Sequence, residues 1–469
     1  MNPGPSNLSG SPNSGGNTRV VDVTALIDAT PVGAFQYRTI ALCMAVLFFD
    51  GYDTQAVGYA APALAPALHI DRAAMAWVFA ISLVGLMVGA CVFGPLADRF
   101  GCKKLVIATT ALFGVFALAT AAVSSFETLL LMRFLTGCGL GGAMPNAVSL
   151  SVDYFPRRRR ASTVTIVFVG FTIGAAVGGY LAAAMLPAFG WRSVFLVGGI
   201  APILLLPVLI VALPESVRLL ILHGSRSDEI ARNLAKIDPT QSFAPPVAFI
   251  ASEENAAGMP VKHLFTAGRA PGTVLIWTVF FLSLLVTFLL ASWMPTVINV
   301  AGISVERAVA ATATFQLGAI VGTLGVGWLM DKFNPYTILT TGFILAGLAI
   351  AALTTIHSGM AYPLIVTLIF IAGTLSGAGG TQGANALAGS YYPTYIRSTG
   401  LGWALGVGRI GAIVGTLLGG LFVALGWNLQ AVFSAAGLAC LCSAVAIFVM
   451  RRYPSPEQLH VQPRAMSHP

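Results

Sequence analysis

Two aspartates lie three residues apart in an apolar run near the start of this 469-residue chain. Asp50 and Asp53 belong to the segment Leu47-Phe-Phe-Asp-Gly-Tyr-Asp-Thr54, and residues with this spacing share one face of a helix. If the run crosses a membrane, each ionised carboxylate costs about 2.5–3.5 kcal/mol, so the pair requires water, a cation or a proton. We therefore predict a proton-coupling site. The alternative is a structural pair held by neighbouring hydroxyl or guanidinium groups.

Two arginines also lie inside apolar runs. Arg409 is flanked by glycines between Gly402 and Gly411, and Arg133 begins the segment Arg-Phe-Leu-Thr-Gly137. A guanidinium group binds a carboxylate through two parallel hydrogen bonds, so we predict that these residues bind a carboxylated substrate. Two alternatives stay open, because Arg409 could form an ion pair with one of the aspartates and Arg133 could extend its charged end to the membrane interface.

Weaker candidates for substrate binding are Tyr52, Gln382 and Asn385. Gln382 and Asn385 share a face of one predicted helix and could hydrogen-bond a substrate hydroxyl. The glycine strings 137–142 and 406–411 match a dinucleotide-binding fingerprint, but neither follows a soluble strand, so we expect no cofactor. The six cysteines lack the paired spacing of a zinc site, and we expect no metal.

The elements that position these residues follow from composition. The chain is 57% hydrophobic and 9% charged, with a mean hydropathy of +0.84. Apolar runs of about 20 residues, long enough to cross a bilayer, recur throughout and leave no room for a soluble catalytic domain. We predict an all-α integral membrane protein, not an enzyme, with twelve transmembrane helices at 39–63, 75–97, 105–123, 129–150, 163–186, 194–213, 274–297, 308–330, 337–356, 362–382, 396–423 and 430–450.

These spans divide into two sets of six. We predict helical bundles at 36–213 and 271–450, a disordered cytoplasmic tail at 1–35, a cytoplasmic central loop at 214–270 and a cytoplasmic tail at 451–469. With both termini cytoplasmic, the opposite side holds only Arg72, Arg192 and Arg307 among the 25 Lys and Arg residues. The net charge of +8 thus reflects membrane topology, and we expect no nucleic-acid partner.

Short polar segments repeat between the halves. Asp98-Arg99 follows the second span as Asp331-Lys332 follows the eighth, and Tyr154-Phe-Pro is matched by Tyr391-Tyr-Pro. Duplicated halves are a common basis of alternating-access transport, so two bundles with a cavity between them are expected. Glycines four residues apart at 170, 174 and 178, and again at 411, 415 and 419, predict close helix packing.

Several segments resemble the major facilitator superfamily. The segment from Gly94 to Lys104 is similar to its signature loop after helix 2. Asp50-Gly-Tyr-Asp-Thr54, Ala60-Ala-Pro-Ala-Leu64 and Arg133 through Asn146 resemble the aromatic acid:proton symporters within it. The resemblance covers nearly the whole chain and implies a major facilitator fold of two pseudo-symmetric six-helix bundles.

The same resemblance implies roles for individual residues. Asp50 and Asp53 are implied in proton and substrate coupling, and Arg133 and Arg409 in handling the charge of the acid. The loop residues Asp98, Arg99, Asp331 and Lys332 are implied in gating between the bundles. Antiporters of the superfamily often carry Gly-Pro in helix 5, whereas this chain has Gly174-Ala175, which favours symport.

The expected function is import of an aromatic carboxylic acid, such as benzoate, a hydroxybenzoate or protocatechuate, together with a proton. We expect a monomer in the lipid bilayer of the cell inner membrane. Two alternatives remain: a proton-coupled carrier of a non-aromatic acid such as a muconate, a dicarboxylate or a sugar acid, or a membrane chemoreceptor that binds aromatic acids without moving them.

Overall fold

The apolar runs form helices, because a helix satisfies its own backbone hydrogen bonds where no water is present. The computed structural model describes residues 19–223, 227–239, 243, 247–250, 261–266, 268–357, 359–392, 396–426 and 429–453. The helices are α1 (Val23–Ala29), α2 (Ala34–Ala67), α3 (Met75–Phe100), α4 (Cys102–Ala121), α5 (Phe126–Asp153), α6 (Arg160–Phe189), α7 (Arg192–Ala212), α8 (Val217–His223), α9 (Ser227–Ile237), α10 (Ala270–Val300), α11 (Val305–Lys332), α12 (Pro335–Ala352), α13 (Tyr362–Gly379), α14 (Thr381–Tyr391), α15 (Arg397–Ala424) and α16 (Leu429–Met450). Two short strands are β1 (Arg19–Asp22) and β2 (Val247–Ile250).

Each predicted span corresponds to a helix or a helix pair in the described part of the chain. Ten of these helices are long and apolar enough to cross a membrane. The fourth span, α5, is less apolar because it contains Arg133, Asn146 and several glycines. The chain is thus a multi-pass membrane protein, and the predicted fold class is confirmed.

The tenth span differs from its prediction. We expected one helix over 362–382, but α13 ends at Gly379 and α14 begins at Thr381, with Gly380 in an extended conformation between them. The break falls within the run Gly377-Ala-Gly-Gly380. Glycine is about 1 kcal/mol less favourable than alanine inside a helix, so this run is where the helix is weakest.

The two bundles repeat the same helix packing. In the first bundle α2 contacts α6, α3 contacts α5, and α4 contacts α7. In the second bundle α10 contacts α15, α11 contacts α13, and α12 contacts α16 in the same arrangement. The bundles meet through α2 with α10, α6 with α11, and α3 with α15, so the interface follows the same pseudo-symmetry.

Both glycine stripes pack against a neighbouring helix, as predicted. A side-chain carbon on Gly174 of α6 would collide with the Phe48 carbonyl oxygen of α2, and one on Gly415 of α15 would collide with that of Leu285 in α10. Small residues allow such close backbone approach in membrane helices. The predicted stripes therefore fix the pairs α2 with α6 and α10 with α15.

The segment before α2 is ordered where we expected a disordered tail through residue 35. β1 pairs in parallel with β2 of the central segment, and the side chain of Asp22 caps α1 by accepting hydrogen bonds from the Thr24 and Ala25 amides at 2.9 and 3.2 Å. Val23 and Ile27 are buried. The prediction is wrong for residues 19–35, because a strand partner distant in sequence and a capped helix stabilise them.

Contacts between the bundles concentrate toward one end, where α2 and α10 finish; we call it the closed end. There the rings of Phe79 in α3 and Trp293 in α10 pack edge to face with centroids 5.3 Å apart. The Tyr180 hydroxyl of α6 lies 2.8 Å from that of Thr314 in α11. The second contact joins α6 to α11, one of the three helix pairs that connect the bundles, and the first joins α3 to α10.

Toward the opposite end, where α2 and α10 begin, glycines of the interface helices face open space. A side-chain carbon placed on Gly94 of α3, or on Gly402 or Gly406 of α15, would have no atom within 4 Å. At the closed end of the same helix pair, a carbon on Gly420 of α15 would collide with Ala76 of α3. Helices α3 and α15 therefore touch most tightly near the closed end.

Candidate functional site

A buried ion pair joins the first bundle across α2 and α5. Arg133 places its two terminal nitrogens 3.3 and 3.4 Å from the two carboxylate oxygens of Asp53. Both side chains are only 1% exposed. The geometry is bidentate, the arrangement in which a guanidinium group binds a carboxylate most strongly.

The surroundings of Arg133 explain why it is stable at this depth. Its guanidinium carbon lies 5.2 Å from the ring centroid of Phe195 in α7, close enough for a cation–π interaction. Its Nε atom is buried and makes no hydrogen bond within the described residues. The alternative in which Arg133 extends to the membrane interface is wrong, because the side chain turns inward to Asp53 instead.

Asp50, on the same helical face one turn earlier, is buried but only partly satisfied. Its Oδ1 atom accepts a hydrogen bond from the Thr54 hydroxyl at 3.2 Å. Its Oδ2 atom is buried without a partner among the described residues. A buried acceptor in this state favours the neutral, protonated carboxyl, which can donate as well as accept.

Arg409 lies in the second bundle, half-buried in α15. It interacts electrostatically with Asp50 and lies near Cys91 of α3. Arg409 forms no ion pair with any residue that the structure describes, whereas Arg133 lies 3.3 Å from Asp53. The alternative of an Arg409 ion pair with Asp50 or Asp53 is therefore not formed here, and the partner of Asp53 is Arg133.

A cavity adjoins the ion pair at the bundle interface. It has a volume of about 30 Å³, room for about two water molecules. Its first-bundle wall contains Asp53, Thr54 and Arg133, and its second-bundle wall contains Phe288 and Ser292 of α10. The remaining lining residues are Val57, Phe79, Ser82, Leu83, Leu86, Gly137 and Leu140. An aromatic ring requires the two walls to separate further.

Tyr52 lies outside this cavity. Its hydroxyl donates a hydrogen bond to the Val194 carbonyl oxygen of α7 at 2.9 Å, and the side chain is buried. Carbons placed on Gly178 or Gly198 would lie 2.8 and 3.0 Å from its ring. The ring thus fills space between α6 and α7, and its hydroxyl hydrogen is already donated to Val194.

The other sequence candidates are not brought to the cavity. Asn385 is half-buried in α14 and is not among the cavity-lining residues. The side chains of Gln382, Asp98 and Asp331 lie outside the described part of the structure. Arg99 and Lys332 are exposed and lie over aromatic rings of their own helices, Lys332 at 3.8 Å from the Trp328 centroid. A gating role for these loop residues stays a prediction.

The sequence did not identify three residues that line the cavity on α3 and α10. Phe79, Phe288 and Ser292 carry no distinguishing motif, and they meet only because α3 and α10 approach the same point of α2. One feature of the α10 sequence marks this part of the helix. Pro295 has no amide hydrogen, so the Ala291 carbonyl oxygen has no partner within the helix. That oxygen faces α2, where it would lie 2.8 Å from a side-chain carbon placed on Gly58.

Comparisons with known proteins show the family of the chain. A family model described as Major Facilitator Superfamily matches residues 43–382 and 312–467. The chain is 40% identical to the 4-hydroxybenzoate transporter PcaK of Pseudomonas aeruginosa, covering 92% of this chain and 95% of that protein. It is 39% identical to a gallate transporter of Pseudomonas putida, covering 91% and 94%.

The fold has a counterpart among solved structures. A crystal structure of a D-xylose-proton symporter aligns with a TM-score of 0.68 at 17% identity, covering 90% of this chain and 99% of that one. This structure shows the fold, whereas the relatives at 40% and 39% identity confirm the resemblance to aromatic acid transporters over nearly the whole chain.

Proposed function

The chain belongs to the major facilitator superfamily, and on that premise we propose that it is a symporter that imports an aromatic carboxylic acid together with a proton. The relatives named above carry 4-hydroxybenzoate and gallate. The single observation that supports the coupling is the buried bidentate pair of Asp53 and Arg133 beside the interface cavity.

The net charge that the site can bury determines which species can enter it. The empty pair is neutral, since one carboxylate balances one guanidinium. An entering organic anion alone would leave one uncompensated negative charge, and a proton alone would leave one uncompensated positive charge. Either state is costly, because breaking a buried pair costs about 3–5 kcal/mol.

Proton and anion together remove this cost. A proton on Asp53 neutralises that carboxyl group and releases Arg133, and the substrate carboxylate then takes the place of Asp53 on the same guanidinium nitrogens. The site is neutral again, and so are the two states that must cross between the membrane faces. Charge neutrality at this pair therefore supports coupling of a proton to the substrate carboxylate.

The cavity supports an aromatic substrate. Its lining is mainly apolar, with Phe79 on one helix and Phe288 on another, and aromatic rings favour offset or edge-to-face contacts with such side chains. Asp50, with one unpartnered oxygen, and Arg409 across the interface form a second polar region. We infer that Arg409 attracts the anion before it reaches Arg133.

Transport requires the bundles to rock about the site. In the proposed cycle the closed-end contacts of Phe79 with Trp293 and of Tyr180 with Thr314 separate to admit substrate from that side. Most Lys and Arg residues lie on the side away from the closed end, where α2 and α10 begin. This excess of positive charge supports placing that side, with both termini, in the cytoplasm, and the protein in the cell inner membrane. The closed end would then face outward.

The test is uptake of radiolabelled 4-hydroxybenzoate into proteoliposomes, with and without an inward proton gradient. The wild type should accumulate the acid only with the gradient. Asp53→Asn mimics the protonated carboxyl, so it should exchange labelled for unlabelled substrate but lose gradient-driven accumulation. Gradient-driven accumulation by Asp53→Asn at the wild-type level would overturn the coupling role.

Other outcomes of the same assay separate the alternatives. Competition by dicarboxylates or sugar acids, without competition by benzoates, would identify a carrier of non-aromatic acids. Saturable binding of 4-hydroxybenzoate without uptake in any condition would identify a receptor.

A further inference from the structure

Three hydroxyl side chains line the interface cavity, and two of them already donate hydrogen bonds. The Thr54 hydroxyl donates to Asp50 at 3.2 Å. The Ser82 hydroxyl donates to the Val78 carbonyl oxygen of its own helix at 3.0 Å. The third hydroxyl belongs to Ser292 of α10, and it makes no hydrogen bond with any residue that the structure describes.

Ser292 differs in this respect from other hydroxyl residues of its own helix. Serine and threonine in membrane helices commonly donate to the carbonyl oxygen four residues earlier. Two other hydroxyls of α10 do so, Thr278 to Val274 at 2.9 Å and Thr287 to Ser283 at 2.8 Å. Ser292 is only 9% exposed, yet its hydroxyl is not bonded to Phe288, so it keeps its donor and acceptor capacity for the cavity.

The position of Ser292 places this capacity opposite the ion pair. Asp53 and Arg133 line the cavity from the first bundle, whereas Ser292 lines it from the second. The backbone of Ser292 also lies against Gly58 of α2, where a side-chain carbon would be 3.3 Å from its Cα atom. A molecule held by Arg133 at one end and Ser292 at the other would bridge the two bundles.

We propose that Ser292 recognises a hydroxyl group on the ring of the substrate, so that hydroxylated aromatic acids are preferred over unsubstituted benzoate. This inference rests on the proposed transport of aromatic acids. In it Arg133 binds the carboxylate, the ring lies between Phe79 and Phe288, and the ring hydroxyl exchanges a hydrogen bond with the Ser292 Oγ atom. The substrate thereby supplies a partner for Ser292 that no described residue provides.

The preference has a physical origin in the buried state of the serine. When the walls close on a hydroxylated ring, Ser292 gains a partner. When they close on benzoate, both the serine and the cavity lose water without replacement, and a buried hydroxyl without a partner is unfavourable. Loss of one such neutral hydrogen bond corresponds to about a fivefold to tenfold weaker affinity.

The experiment compares half-saturation concentrations for uptake of 4-hydroxybenzoate and benzoate into proteoliposomes with an inward proton gradient. The variants are Ser292→Ala, Ser292→Thr and the matched control Ser82→Ala. Ser292→Ala should raise the half-saturation concentration for 4-hydroxybenzoate about fivefold to tenfold. It should leave that for benzoate unchanged or lower it, because the variant removes the unpartnered hydroxyl. Ser292→Thr keeps a hydroxyl and should preserve the wild-type ratio, and Ser82→Ala should leave the ratio unchanged.

The outcomes separate this inference from the proposed function. If the wild type takes up neither acid, the proposed function fails. If both acids are taken up but Ser292→Ala changes their half-saturation concentrations equally, Ser292 does not recognise the ring hydroxyl, although the transporter assignment stands. A ratio that changes in Ser82→Ala and not in Ser292→Ala would likewise overturn the inference.

Discussion

In the first bundle, α2 and α5 carry three charged residues that are buried beside one another, Asp50, Asp53 and Arg133. The helices in the equivalent positions of the second bundle, α10 and α13, contain no Asp, Glu, Lys or Arg in their sequences. Yet both bundles repeat the same helix pairs and the same glycine stripes. The comparison shows that packing is shared by the halves, whereas the charge chemistry is concentrated in one.

Because of this asymmetry, the two bundles have different roles in the proposed transport cycle. The first bundle neutralises and exchanges charges, and the second supplies an apolar wall, a free hydroxyl and one distant arginine. Substitutions in the two bundles should therefore disturb packing and charge chemistry separately.

Arg133→Ala should have the largest effect, because it leaves the Asp53 carboxylate buried without its partner. The cost is about 3–5 kcal/mol, so uptake should fall about 100-fold or more and the melting temperature should drop. Initial uptake rates and thermal unfolding in detergent measure both. The double variant Arg133→Met with Asp53→Asn buries no charge and should regain stability without regaining accumulation. A double variant that stays as unstable as Arg133→Ala would contradict the charge argument.

Gly174→Val and Gly415→Val test the shared packing. Each adds a side chain that would collide with a backbone carbonyl of the neighbouring helix, and overpacking of this kind costs about 1–3 kcal/mol or more. We expect both variants to lower the melting temperature by similar amounts. Gly402→Val is the matched control, since a carbon there meets no atom within 4 Å, and it should be tolerated. A large effect in only one bundle would show that the packing is not equivalent.

Arg409→Ala should reduce uptake less than Arg133→Ala, by about tenfold. Arg409 is half-buried and forms no ion pair in the described structure, so its removal weakens attraction of the anion without leaving a close partner unpaired. The melting temperature should stay near that of the wild type. Equal losses of stability in the two arginine variants would remove the distinction between the bundles.

Tyr52→Phe should have the smallest effect. The variant loses one hydrogen bond to Val194, worth about 0.5–1.5 kcal/mol, and keeps the ring between α6 and α7. Half-saturation concentrations should stay within about twofold of the wild type, while the melting temperature falls slightly. A selective loss of substrate affinity would show that Tyr52 contacts the substrate.

The sequence predicts the membrane-spanning helices well because the length of an apolar run is a local property. It also identifies Asp50, Asp53, Arg133 and Arg409, because a charge inside such a run is costly wherever the helix lies. These inferences need no knowledge of which helices are neighbours.

Features that depend on neighbouring helices could not be predicted from the same patterns. The partner of Asp53 is 80 residues away, and the choice between Arg133 and Arg409 is decided by how α2 packs against α5. The cavity residues Phe288 and Ser292 resemble any other positions of α10 until α2 is placed beside them. The break at Gly380 depends on a balance of about 1 kcal/mol per glycine, too small to read with certainty from composition.

The pairing of β1 with β2 has a consequence for how the protein is made. Residues 19–22 find their partner only at residues 247–250, after all six helices of the first bundle have left the ribosome. At about 5–20 residues per second, the first strand stays unpaired for roughly 10–45 s of synthesis. The two strands can therefore pair only after the chain of the first bundle has been synthesised.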